Sequence, residues 1–87
     1  MTLDFPNVSR SYDETRDLIR FWGYDSAMEV SFFVEVGALT KLDPRTRTLE
    51  AGYLETFDAV RDRIHQVARK AYSRARRSAY LLVAADF

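Results

Sequence analysis

The sequence predicts an α+β fold: a mainly antiparallel sheet of three or four strands with one long helix packed on one face, in the order β-β-β-α-α-β. Three observations support this. Apolar residues alternate with other residues between positions 17 and 36, recur every three or four positions from 49 to 75, and form a short run from 80 to 85. The length of 87 residues with 47% apolar content predicts one domain over 1–87, with 1–9 as an N-terminal arm.

The strongest pattern is a pair of strands, Asp17 to Tyr24 and Ala27 to Val36. With Asp25-Ser26 as a two-residue turn, Phe21 faces Val30 across the pair. The face predicted to be apolar carries Ile19, Phe21, Gly23, Met28, Val30, Phe32 and Val34. The opposite face carries Leu18, Arg20, Trp22, Tyr24, Glu29, Ser31, Phe33 and Glu35.

The remaining elements follow from shorter signals. Arg10 to Asp13 is predicted as an edge strand, and Gly37 to Leu42 as a helical turn that ends at Asp43-Pro44. The run from Tyr80 to Ala85 is predicted as a strand buried on both faces, because it is apolar throughout.

The long helix is predicted from residue 49 to about 76, with Thr48 as its N-cap. Its apolar stripe is Leu49, Tyr53, Phe57, Val60, Ile64, Val67, Ala71 and Ala75. Such a helix would be about 42 Å long, whereas a domain of this size is only about 31 Å across. We therefore expect it to overhang, to bend (for example at Gly52) or to pack against a second copy.

Together these elements define a predicted core, and replacing its central members with alanine should destabilise the fold. The predicted core residues are Ile19, Phe21, Met28, Val30, Phe32, Val34, Leu39, Leu54, Phe57, Val60, Ile64, Val67, Leu82 and Val83.

The chain offers little for catalysis, and we expect it not to be an enzyme. His65 is the sole histidine, and on a helix Asp62 and Arg61 would lie beside it, the shape of a general base with its orienting group. No nucleophile accompanies them, and an ion pair is the favoured interpretation for Arg61. One histidine, no cysteine and isolated glycines predict no metal site, phosphate loop or cofactor.

The charge is unevenly distributed although the net charge is zero. Residues 1–60 hold six Lys/Arg and eleven Asp/Glu, whereas residues 61–87 hold seven and two. The basic cluster is Arg69, Lys70, Arg74, Arg76 and Arg77. It is a candidate anion-binding surface, and weak nucleic-acid binding through it is the alternative function. Accumulation of cations near a helix C-terminus is the favoured explanation of this basic end, and nucleic acid is an unlikely partner.

The outer sheet face is the candidate interaction surface, because it combines residue types that interfaces favour. Its members are Leu18, Arg20, Trp22, Tyr24 and Phe33. The sequence therefore favours a protein-interaction module, most simply a homodimer, with another protein as an alternative partner. The arm, with Leu3, Phe5 and Val8, is the other candidate to cover this face. The opening residues lack a signal-peptide pattern and no run is long enough to span a bilayer, so we expect a cytoplasmic location without membrane contact.

Several short segments resemble a known family over nearly the whole chain. They are Phe5-Pro6, Ser9 to Asp13, Arg20 to Asp25, Glu29 to Glu35, Arg61 to His65 and Ala84 to Phe87. Together they resemble the small bacterial family of the domain of unknown function fourteen-eighty-eight. The resemblance implies a small α+β fold in bacteria and no assigned activity or functional residue. Members often have a glycine within 74–77, where this chain has Ala75, which favours an overhanging end of the long helix.

Overall fold

The computed structural model describes residues 3–87 and contains one four-stranded sheet covered on one side by helices. Its elements are β1 (Arg10–Asp13), β2 (Leu18–Asp25), β3 (Met28–Glu35), α1 (Val36–Leu42), α2 (Glu50–Ala59), α3 (Arg61–Arg74), β4 (Ala79–Leu82) and a closing 3-10 turn (Ala84–Asp86). The strand order is β1-β2-β3-β4. The first three strands pair antiparallel, but β4 joins β3 in parallel. The sheet is therefore mixed, because the three helices carry the chain back across it before β4 begins.

The hairpin of β2 and β3 has the predicted faces but a different turn. Phe21 pairs with Phe32 rather than Val30, and Asp25 pairs with Met28. The turn is thus Ser26-Ala27, with Ser26 in the left-handed region at φ 55°. A register shift of two residues leaves every side chain on its original face. Phe21, Val30 and Phe32 on the inner face are accordingly buried, while Arg20, Trp22 and Phe33 on the outer face are partly exposed.

The prediction of one long helix is wrong, because the helical segment breaks at Val60. Val60 has φ −110° and ψ 18°, outside helical values, and separates α2 from α3. The break divides the segment into helices of 10 and 14 residues, in a molecule of 36 × 22 × 22 Å. Gly52 is not the bending point. It lies where the chain around Arg47 crosses α2 so closely that a Cβ would clash with the Arg47 carbonyl oxygen.

The ends of the helical segment also differ from the predictions. The N-cap of α2 is Leu49, not Thr48, and no side chain caps it. At the other end α3 stops at Arg74, and Ala75 is already extended at φ −154°. The helix therefore ends before Ala75 and does not continue to about residue 76 as predicted. The predicted single helix was longer than the expected diameter of the domain, whereas α2 and α3 are each shorter than it. Helix length therefore gives no support to a second copy.

The core lies between the inner sheet face and the three helices. Ten of the fourteen predicted core residues are buried, among them Phe21, Phe32, Phe57 and Ile64. Leu54 and Val60 are partly buried against the core, and Val83 is half-buried. Met28 is wrong, because it lies at the exposed end of the hairpin with 62% of its surface accessible. The buried residues that were not predicted are Leu3, Leu18, Ala38, Tyr53, Thr56, Ala68, Tyr72 and Tyr80.

The last strand has one buried face rather than two. Tyr80 and Leu82 point into the core, whereas Leu81 is 53% exposed. Because Leu81 pairs with Phe33, it extends the outer face of the sheet. No helix within residues 3–87 is long and apolar enough to cross a membrane.

Candidate interaction face

The outer face of the sheet has an arginine stacked on aromatic rings at its centre. Alternation along β2 and β3 directs Arg20, Trp22 and Phe33 away from the helices. The Arg20 guanidinium lies 4.8 Å from the centroid of the Trp22 ring and 5.9 Å from that of Phe33. Cation–π contact of this kind holds the guanidinium flat against the sheet. We use the name outer face for this surface, formed by Arg20, Trp22, Phe33 and Leu81.

Arg20 has few polar partners in this position. One terminal nitrogen, Nη2, donates to the Ser31 hydroxyl at 3.2 Å. The Nε atom is buried and has no hydrogen-bond partner. Within residues 3–87, Arg20 forms no ion pair with a carboxylate. The Arg20 guanidinium thus lies among Trp22 and Phe33 without a carboxylate partner within residues 3–87.

The rim of the outer face is more polar. Tyr24 donates its hydroxyl hydrogen to Glu29 at 3.3 Å. Arg16 lies 5.5 Å from the Phe33 ring and pairs with Asp13 at 3.1 Å. Of the predicted surface residues, Leu18 is only 7% exposed and so offers no side chain to a partner. Leu81 was missed, because its run was predicted to be buried on both faces. Strict alternation within that run would have placed it outside.

The N-terminal arm covers the opposite side of the sheet. Leu3 is buried in the core, and Asp4 forms two backbone hydrogen bonds with Tyr24 at the edge of β2. Phe5 stacks on His65 with a centroid distance of 3.9 Å and an interplanar angle of 8°. The arm therefore seals the core and leaves the outer face uncovered. Met1 and Thr2 of the predicted arm lie outside the described residues.

His65 lies among aromatic side chains. Its ring packs on Phe5 and lies 5.8 Å from Phe21. Burial, with the positive charges of Arg61 and Arg69, lowers the pKa of His65 from 6.5 to about 4, so the imidazole is neutral at pH 7. Within the described part of the chain, no hydrogen bond joins it to Asp62.

Arg61 forms the predicted ion pair, at the break between α2 and α3. It binds Asp58 at 2.6 Å, and its guanidinium lies 5.0 Å from the Phe57 ring. Arg10 of β1 binds the same carboxylate through two hydrogen bonds of 2.8 and 2.9 Å. Burial alone would raise the pKa of Asp58, but the hydrogen bonds from the two arginines outweigh it and lower that pKa.

The basic cluster does not form one surface. Arg69 is occupied by the arm, because its Nε donates to the Leu3 carbonyl oxygen at 3.2 Å and its guanidinium lies 5.1 Å from the Phe5 ring. Lys70 and Arg74 line a cleft of about 200 Å³ that also contains Asp86.

The other two basic residues line a different cleft. Arg76 and Arg77 follow the end of α3 and border a cleft of about 310 Å³ together with Met28 and Tyr72. The Tyr72 hydroxyl donates to Asp25 at 2.6 Å, so a carboxylate also lies here. Across residues 3–87, no three His, Asp or Glu side chains converge in a way that would hold a metal ion.

The fold defines a small α+β protein with a mixed four-stranded sheet, on whose outward side Arg20 lies over Trp22 and near Phe33. The model of the family described as "Protein of unknown function (DUF1488)" matches residues 3–83, and the chain belongs to this family. The resemblance seen in the sequence is thereby confirmed. Searches of curated proteins and of solved structures found no significant match.

Proposed function

We propose that this protein is a small, non-enzymatic interaction module of the bacterial cytoplasm, and that it self-associates as a homodimer through the outer face. The observation that carries the proposal is the uncovered group of Trp22, Phe33 and Leu81 around Arg20. Tryptophan, phenylalanine and arginine are enriched in protein interfaces, and aromatic and arginine side chains supply most binding hot spots. The arm, the other candidate to cover this face, lies on the opposite side.

The size of the sheet limits the area that a face-to-face dimer can bury. Two strands of eight residues and two of four, spaced about 4.8 Å apart with about 3.3 Å per residue, give about 400 Å² in projection. Standard interfaces bury about 800 Å² on each partner. We therefore expect a weak dimer with a dissociation constant in the micromolar range.

The other functions have less support. The His65 ring is stacked on Phe5, and its low pKa leaves it neutral at pH 7. Nucleic-acid binding needs cations gathered along one path. Here one of the five basic residues contacts the arm, and the other four line two separate clefts. Each cleft also contains an aspartate. Glu29 and Glu35, on the same face of the sheet as the aromatic residues, would repel a polyanion.

Sedimentation equilibrium of the wild-type protein and two matched variants tests the proposal. Leu81→Arg places a charge on the outer face, and Met28→Arg places the same charge on another exposed apolar residue. We expect Leu81→Arg to weaken dimerisation about tenfold or more and Met28→Arg to leave it unchanged. A wild-type protein that stays monomeric at about 500 μM, well above micromolar, contradicts the proposal. So does a dimer that Leu81→Arg does not weaken.

A further inference from the structure

Two opposite charges on the outward side of the sheet lack partners within the described chain. Arg20 has no carboxylate partner, and its Nε has no hydrogen bond. Glu35, the last residue of β3, precedes α1 as its N-cap residue but makes no side-chain capping bond. Among residues 3–87, no ion pair or side-chain hydrogen bond involves Glu35. Both side chains are partly exposed, so a second chain can reach them.

The register places Glu35 one row away from Arg20, on the side away from Trp22. Arg20, Phe33 and Leu81 lie side by side across β2, β3 and β4. The next row on one side contains Trp22, and the guanidinium of Arg20 leans over it. The next row on the other side contains Glu35, paired with Leu18. Neighbouring rows on one face are about 7 Å apart along the strands.

A two-fold axis along the central row would bring these charges together. In a symmetric dimer the same patch contacts itself, so each side of the axis meets the opposite side of the other copy. Phe33 and Leu81 would then pack on their own counterparts, and the guanidinium over the Trp22 row would face the Glu35 row. An axis along the Trp22 row would instead oppose two guanidinium groups. Of these two arrangements, charge complementarity favours the first.

We infer that the occupant of the outer face is a second copy of this chain, with Arg20 of each copy paired to Glu35 of the other. This inference rests on the proposed self-association and specifies its geometry. In this pair, the Arg20 guanidinium has the aromatic rings of its own chain on one side and the Glu35 carboxylate of the other copy on the other side. Both sides of the guanidinium are therefore shielded from water. The pair also makes dimerisation sensitive to salt, because part of it stays exposed.

Charge reversal in two separate chains tests the pairing. Homodimers of Arg20→Glu or of Glu35→Arg each bring two like-charge contacts together, whereas a mixed dimer of the two variants has two complementary contacts. We expect each variant alone to dimerise about tenfold or more weakly than wild type, and an equimolar mixture to form a heterodimer of near wild-type affinity. Sedimentation equilibrium and native mass spectrometry of differently tagged chains measure both. Mixing Arg20→Glu with Glu29→Arg is the control, because Glu29 already accepts the Tyr24 hydroxyl hydrogen.

The outcomes separate this inference from the proposal beneath it. Suppose that Leu81→Arg weakens the dimer but the mixture of Arg20→Glu and Glu35→Arg shows no preference for heterodimers. The pairing of Arg20 with Glu35 is then wrong, while dimerisation through the outer face remains supported. A preference for heterodimers in the control mixture alone also overturns the pairing. If Leu81→Arg has no effect, the face itself is wrong. Circular dichroism verifies folding of each variant, and Arg20→Gln replaces Arg20→Glu should the latter unfold, with a smaller loss of affinity expected.

Discussion

The stacked histidine makes a specific prediction about stability and pH. His65 is the sole histidine in the chain, and it lies between Phe5 of the arm and the core. Burial first, and the charges of Arg61 and Arg69 second, hold its pKa at about 4. The perturbation is acidification from pH 7 to pH 4, compared between the wild-type protein and His65→Phe. This variant keeps an aromatic ring on Phe5 but removes the titrating group.

The direction and size of the change in the free energy of unfolding follow from the protonation of His65 in the folded and unfolded chains. Between pH 6.5 and pH 4 the unfolded chain binds a proton at His65 and the folded chain does not, so the free energy of unfolding falls as the pH falls. The gap from 6.5 to about 4 corresponds to about 3 kcal/mol. Because the ring is only half-buried, solvent screening reduces this to about 2 kcal/mol. The part of the free energy of unfolding that depends on a neutral His65 is fully present above pH 6.5 and is lost as the pH falls towards 4.

Urea unfolding followed by the fluorescence of Trp22, the sole tryptophan, gives the free energy of unfolding at each pH. Wild type should lose about 2 kcal/mol more than His65→Phe between pH 7 and pH 4. Titrating groups common to both proteins cancel in this comparison. A nuclear magnetic resonance titration gives the pKa of His65 directly. A value near 6.5, or equal losses in the two proteins, would refute the stacked and desolvated placement of the ring.

Three further predictions concern the fold. Phe57→Ala and Ile64→Ala should each lower the free energy of unfolding by about 2–5 kcal/mol, because both side chains are fully buried; unchanged thermal melting in both would refute the helix placement. Gly52→Ala should cost about 1–3 kcal/mol, because the new methyl group meets the backbone of Arg47; a melting temperature equal to wild type would contradict that close crossing. Asp58→Asn should cost about 1 kcal/mol at pH 7, since the carboxylate that two arginines share is partly exposed. Denaturant unfolding measures it, and a loss as large at pH 2 as at pH 7 would exclude the ionic origin.

The sequence predicted the faces of the hairpin but not its turn. Alternation over β2 and β3 assigns Phe21 inward and Trp22 outward in any register that differs by two residues. It therefore cannot distinguish a turn at Asp25-Ser26 from one at Ser26-Ala27. Only the local backbone preference decides, and neither dipeptide carries the glycine that strongly favours a two-residue turn.

The pattern of apolar residues predicted neither the helix break nor the position of the arm, for related reasons. The apolar spacing continues through Phe57, Val60 and Ile64 without interruption, so the periodicity gives no sign that α2 ends at Ala59. The arm is irregular, and its apolar residues have no period that would assign them to a face. Leu3 and Phe5 are placed by tertiary contacts with the core, which one sequence does not reveal. Alternation predicted the outward direction of Arg20, Trp22 and Phe33, but it did not predict the burial of Leu18, the position of Tyr24 at the rim or the exposure of Leu81.

The central claim is that a second copy covers the outer face, and Trp22 reports on it directly. Acrylamide quenching of its fluorescence, measured from about 1 μM to about 1 mM across the expected dissociation constant, follows the exposure of the ring. We expect quenching to decrease and the emission to shift to shorter wavelength as the dimer forms, with Leu81→Arg retaining monomer-like quenching throughout. A dimer that forms while the Trp22 signal stays constant would contradict the claim.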